Sequence, residues 1–228
     1  MLTLIADYAP TYASRMKHML HLQRRVRRDR EYSPPTVGEL RSAVTDGLPE
    51  SIDQMRTFFA DRIEELQKRI RGSNTDMWEA YWVDDRPRTE PFCRNRMIEH
   101  ISGQLPPSIR FEPERHMPRQ RRADIAAIRD TVGLPVEIKG QWHRDVWNAA
   151  CDQLDANYAR DWQAEGRGAY IVLWFGDVVR KDKRLRRHPD GLERPETPEA
   201  LRQMLVDRLP EERRFQIDVF VLDVTRPE

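Results

Sequence analysis

"RRADIAAIRDTVGLPVEIKGQWH", residues 121–143, contains two short apolar runs joined by the turn-rich RDTVG, and how it is read decides the fold. The runs RADIAAI and LPVEIKG have the length and β-branched content of strands, with Asp and Gly in the join. Charge interrupts both, at Asp124 in the first and at Glu137 and Lys139 in the second. Side chains alternate along a strand, so Val136 and Ile138 face one way while Glu137 and Lys139 share the other face. Asp124 on the neighbouring strand can join that surface, which would bring two carboxylates and an ammonium together. Close carboxylates repel, and a divalent cation between them removes the conflict. Magnesium suits oxygen ligands and keeps several waters, with manganese as a substitute. Such an ion activates a water and offsets charge on a phosphate, while a lysine orients the nucleophile. The pattern therefore points to phosphodiester hydrolysis.

The chain changes character near residue 86. Before it, residues 12–30 and 51–72 show helical spacing, the second through Ile52, Met55, Phe59, Ile63, Leu66 and Ile70. Ser51 and Gln54 fit a capping box, Gly72 fits a stop, and Thr36 with Glu39 suggests another capped helix to about Val44. After it, TEPFCRNRMIEHISGQL starts with a Thr cap and an early Pro, as a helix does. SIRFEPE predicts a strand before the two already described. RDVWNAACDQLDANYARDW returns to helical spacing, and GAYIVLWFG reads as a strand buried on both faces. Thr197 and Pro198 open a further helix, and FQIDVFVLDV closes the chain with Ile217, Val219 and Val221 on one side. The expectation is an α/β fold with a mixed central sheet flanked by helices. It divides into a helical accessory or linker region over residues 1–86 and a second domain over residues 87–228.

At ADI (123–125) and VEIKG (136–140) the sequence resembles the PD-(D/E)xK nuclease superfamily, in a divergent RecB-like form. Its signature is an acid on one strand and acid-x-lysine on the next. The resemblance covers roughly residues 89–225 and implies a restriction-endonuclease-like core of order α-β-β-β-α-β. It also implies a magnesium-dependent nuclease acting most naturally on DNA. Carried over residue by residue, Asp124 and Glu137 are metal ligands, the Ile138 carbonyl is a further candidate, and Lys139 is the catalytic lysine. Glu90, with Glu99 as second choice, would be the acid that many members place on the first core helix. Gln153 with Tyr158 resembles the RecB-like glutamine and tyrosine, although the usual interval is one residue shorter. LWFGD and VFVLDVTRP resemble modules of large bacterial defence proteins, so an effector module of such a system is one implied setting. A catalytically inactive nucleic-acid-binding module of the same fold is the alternative.

The rest of the sequence adds candidates and exclusions. Gln141 continues the Glu137 and Lys139 face beyond Gly140, and His143 could approach a phosphate or cap the following segment. Trp142 and Trp147 fit stacking on bases or, more commonly, packing. Arginine-rich clusters at residues 24–30, 119–122 and 180–187 offer phosphate contacts, with Arg121, Arg122, Lys183 and Arg184 the named candidates. Such contacts position a backbone and do not read bases. Lys+Arg 39 against Asp+Glu 38 leave a net charge of +1, so bulk charge selects no partner. Two cysteines without a CxxC exclude a disulfide scaffold or a Cys-rich zinc site, and the expected compartment is a reducing cytosol. The chain shows neither a bilayer-length apolar run nor a secretory leader layout, so no membrane partner is expected. Residues 1–86 are candidates for a substrate clamp, a homo-oligomer contact, or a join to a larger multidomain or helical partner.

Overall fold

The computed structural model of the chain describes residues 48–227 other than 73, 74, 104, 118–120 and 156–162, together with Met19 and Gln23; for residues 115–117, 121, 122, 153 and 155 the backbone alone is described. Met19 and Gln23 are helical. The remainder of that first expected helix, and the one expected at residues 36–44, lie outside the described residues. The chain divides into two compact units, Met1–Gly47 and Leu48–Glu228, and the sheet belongs to the second.

Helix α1, Ile52–Gly72, buries Ile52, Met55, Phe59, Ile63, Leu66 and Ile70, the stripe expected from their spacing. Its start is a capping box with a shifted return bond. Ser51 Oγ accepts from the Gln54 N–H at 3.3 Å, and Gln54 Oε1 accepts from the Glu50 N–H at 2.7 Å. A single 3-10 turn at Met77–Tyr81 leads into the two-residue strands β1, Trp82–Val83, and β2, Arg86–Pro87, which pair with each other. Helix α2, Glu90–Ser102, follows its Thr89 N-cap.

The central sheet has five strands in the order β3, β4, β5, β6, β7. These are Arg110–Met117, Arg121–Arg129, Val132–Gly140, Gly168–Trp174 and Ile217–Asp223. β3, β4 and β5 pair antiparallel, whereas β6 runs parallel to β5 and β7 parallel to β6. The expected mixed sheet is present. The turn between β4 and β5 spans Asp130 and Thr131, with Asp130 in the left-handed region at φ 50°. All seven residues of β6 are buried, as a strand covered on both faces requires. Helix α3, Pro198–Asp207, begins where Thr197 Oγ1 accepts from the Ala200 N–H at 3.1 Å.

Each sheet face carries its own core. On one, α1, α2 and the small hairpin pack with Ile125, Val136, Ile138, Ile171 and Leu222. On the other, Val146, Trp147, Leu154 and α3 pack with Tyr170, Val172, Ile217 and Val219. Two expectations change. α1 belongs to the same packed unit as the sheet, so the expected division at residue 86 is a change of element type inside one compact body. The helix expected after residue 143 is, where described, a run of turns ending in a π-helical segment, Ala150–Asp155. Tertiary contacts hold that run: Trp147 Nε1 donates to the Arg186 carbonyl and the Tyr170 hydroxyl donates to the Val146 carbonyl.

Candidate functional site

The site forms where β4 leaves β5. Their ladder ends at Ile125 opposite Val136, and beyond it two carboxylates occupy the exposed N–H groups of β5. Asp124 Oδ2 accepts from the Ile138 N–H at 2.9 Å, and Glu90 Oε1, from the first turn of α2, accepts from the Gly140 N–H at 3.0 Å. Lys139 lies between those two residues. The bend in β4 has a local counterpart in β3. Glu114 has φ 50°, and its rung with Asp124 is missing from a ladder that otherwise runs from Arg110–Ile128 to Met117–Arg121. Ala123 and Ile125, which strict alternation would put on one face, therefore sit in different cores.

Lys139 Nζ donates to Glu137 Oε1 and stands 3.7 Å from Asp124 Oδ2. The Glu137 side chain is 4% exposed, Lys139 9% and Asp124 29%, so the cluster opens to solvent on the Asp124 side. Glu90, Pro91, Arg94, Asp124 and Ile138 line a small cleft of about 60 Å³ there. Burial, reinforced by the Asp124 carboxylate and opposed by Lys139, pushes Glu137 up to about 7. Lys139 is held above its ordinary value: desolvation opposes this, and Glu137 and Asp124 outweigh it. The carboxylates of Asp124 and Glu90 add to both shifts, although burial is the larger cause at Glu137. Glu137 Oε2 is buried and lacks a hydrogen-bond partner. An orphaned carboxylate oxygen amid excess negative charge is what a hard divalent cation satisfies, so these oxygens fit magnesium or manganese. Among the described residues, however, no three His, Cys, Asp or Glu side chains already stand in metal-ligand geometry.

Thus Asp124, Glu137, Lys139 and Glu90 are brought together. Glu99 is not with them, being two-thirds exposed and paired with Arg96 at 2.6 Å. Gln141 requires correction as a cleft residue. It is fully buried, its Nε2 donates to the Gly176 and Lys183 carbonyls at 2.8 and 2.9 Å, and its Oε1 accepts from the Phe175 N–H at 2.8 Å. β5 ends at Gly140, so the alternation that put Gln141 on the Lys139 face stops before it. His143 is partly exposed and its Nδ1 accepts from the Asp145 N–H at 3.1 Å, which is the capping role. Trp147 is packed in the core, whereas Trp142 is half-buried with Lys183 Nζ 4.0 Å above its ring. Arg184 is exposed. The side chains of Arg121, Arg122 and Gln153, and all of Tyr158, lie outside the described residues, as does the side chain of His116.

Arg94 was missed by sequence reasoning. It is buried, donates to Glu114 at 3.1 Å and stands 3.9 Å from Asp124 Oδ1. The available signal was its spacing: Arg94 follows Glu90 by four residues on α2, which puts both on one helix face. Cys93 is fully buried, and burial pushes its thiol up to about 12, which disfavours the thiolate.

No family model, no curated protein and no solved structure matches the chain. What is established is the coarser class, an α/β protein with a five-stranded mixed sheet flanked by helices. Among the described residues, no helix is long and apolar enough to cross a membrane.

Proposed function

We propose that the chain is a magnesium-dependent nuclease of the PD-(D/E)xK type, with a restriction-endonuclease-like core, hydrolysing phosphodiester bonds in DNA. One observation carries this reading: the buried Lys139 and the orphaned Glu137 oxygen share a cluster with the half-buried Asp124 and Glu90 at the point where β4 and β5 part. Asp124, Glu137 and Glu90 would hold the ion, with the Ile138 carbonyl beside them. When bound, the ion supplies a more acidic water and offsets charge on the phosphate. The residues of the chain do the rest. Lys139, kept as an ammonium by its carboxylates, orients the attacking water and stabilises the phosphate oxygens as charge builds on them. Backbone N–H groups of Ile138 and Gly140 hold the Asp124 and Glu90 carboxylates in place. Arg94, 3.9 Å away on α2, offsets part of the Asp124 charge. A bacterial defence setting and a cytoplasmic location belong to the same proposal.

Purified protein incubated with DNA and magnesium should shorten the DNA, and excess chelator should stop it. Binding that persists in chelator, without cleavage under any divalent ion, would instead identify a binding module of the same fold.

A further inference from the structure

A second concavity, of about 370 Å³, lies on the other side of the first turn of α2. Thr89 lines it, while the next residue, Glu90, lines the cleft at the carboxylate cluster. Its walls carry Arg86 from β2, Arg88, and Arg180 and Lys183 from the loop after β6, against a single acid, Asp182. Four cations against one carboxylate make this a concentrated positive patch in a chain whose overall charge is +1. The aromatic rings beside it already have cations over them. Arg88 stands 4.2 Å and Arg96 5.4 Å from the Phe92 ring centroid, and Lys183 4.0 Å from that of Trp142. Those rings therefore present charge to a ligand in place of a bare stacking platform.

Chain continuity and bonds between side chain and backbone set the placement. Gln141 holds the Lys183 carbonyl at 2.9 Å and directly follows Gly140, whose N–H holds Glu90. The walls of the two clefts are thus joined through Thr89–Glu90 and Gly140–Gln141. Arg88 is fixed by its bond to the Trp82 carbonyl at 2.7 Å; Arg86 and Arg180 are exposed, Arg180 Nε standing 3.3 Å from Asp182 Oδ1 in an exposed pair that a phosphate can compete with.

We infer that this cleft, walled by Arg86, Arg88, Arg180 and Lys183, is a phosphate-binding subsite for a nucleic-acid strand, gripping its backbone beside the carboxylate cluster without reading its bases. The inference deepens the nuclease reading and rests on it for the identity of the ligand. Its test runs without catalysis. Binding of a fluorescein-labelled oligodeoxythymidylate is followed by anisotropy in chelator across a salt series. The proteins compared are the wild type, the double variant R86A/R180A and the charge-keeping R86K/R180K, with circular dichroism to show that each is folded. The alanine pair should weaken binding about tenfold at low salt. It should also reduce the slope of log affinity against log salt by about 1.4, the change expected when two fewer phosphates of a single strand are neutralised. The lysine pair should restore most of both. Unchanged affinity and slope in the alanine pair would overturn the inference, as would absence of DNA binding by the wild type. Displacement by polyglutamate as effective as displacement by unlabelled oligonucleotide would also overturn it, by pointing to an acidic protein partner. The two readings fail separately. A protein that never cleaves can still show this binding, and a nuclease whose DNA affinity ignores Arg86 and Arg180 would sink the inference alone.

Discussion

Glu137 is the residue whose behaviour reports most on its surroundings. Its ordinary value is 4.5, and in the folded protein burial and the neighbouring carboxylates push it up to about 7. The folded state therefore holds this proton more tightly than the unfolded chain does. The resulting stabilisation is complete below about pH 4.5 and is lost as pH rises through about 7. Metal-free protein should accordingly melt several degrees lower at about pH 8 than at about pH 5. Glu137→Gln, which keeps the shape and removes the titration, should flatten most of that difference in a thermal melt series. An unchanged pH dependence in the variant would place the shift elsewhere. Magnesium binding should tighten over the same window as Glu137 loses its proton. Glu137 and Lys139 were legible as neighbours because strand alternation is local, whereas alternation breaks in β4 at Asp124, between Ala123 and Ile125. Arg94 was not, because its meeting with Asp124 depends on how α2 packs across the sheet.

Gln141 marks the limit of that local logic. The alternation that placed it beside Lys139 ended with β5 at Gly140, and its amide instead ties β5 to the loop carrying Lys183. Gln141→Ala would leave the Phe175 N–H and the Gly176 and Lys183 carbonyls without their side-chain partner, at roughly 1–3 kcal/mol for a buried group left unsatisfied. Hydrogen exchange should show faster opening of residues 175–186, together with a lower melting temperature. Protection identical to wild type would contradict this linking role. Helix α1 shows the opposite case, since six apolar residues at helical spacing and a Ser51 cap announced it and nothing in its surroundings disturbed it. The segment after residue 143 has similar apolar spacing, yet where it is described it begins with turns and becomes helical only at Ala149–Asp155, in π form from Ala150. There Trp147 and Val146 are claimed by bonds to Arg186 and Tyr170, which lie far away in sequence.

For the whole molecule, the change of composition near residue 86 marks where alternating strands begin and not where a packed body ends. α1 is bound to β7 by polar as well as apolar contacts. Arg56 donates twice to Asp218 at 2.8 Å, and the Gln67 amide pairs with the Asp223 backbone. Burial of its six apolar side chains contributes roughly 1.5–3 kcal/mol each, which together rivals the 5–15 kcal/mol by which a typical domain is stable. Residues 48–228 alone should therefore unfold cooperatively, as followed by circular dichroism, while residues 87–228 alone should not fold. A cooperative transition in the shorter piece would show that α1 is dispensable.

Above all, the proposal makes Asp124, Glu137, Glu90 and Lys139 a metal-dependent centre for cutting DNA. It is tested most sharply by the initial rate of DNA cleavage in magnesium by the wild type, Glu137→Ala and Lys139→Ala at matched folded concentration. The wild type should cleave, with chelator abolishing the activity and manganese supporting it. Both variants should be folded and at least about a hundredfold slower, the scale of losing one group that stabilises a transition state. Full cleavage by both variants, or none by the wild type under any divalent ion, would contradict it.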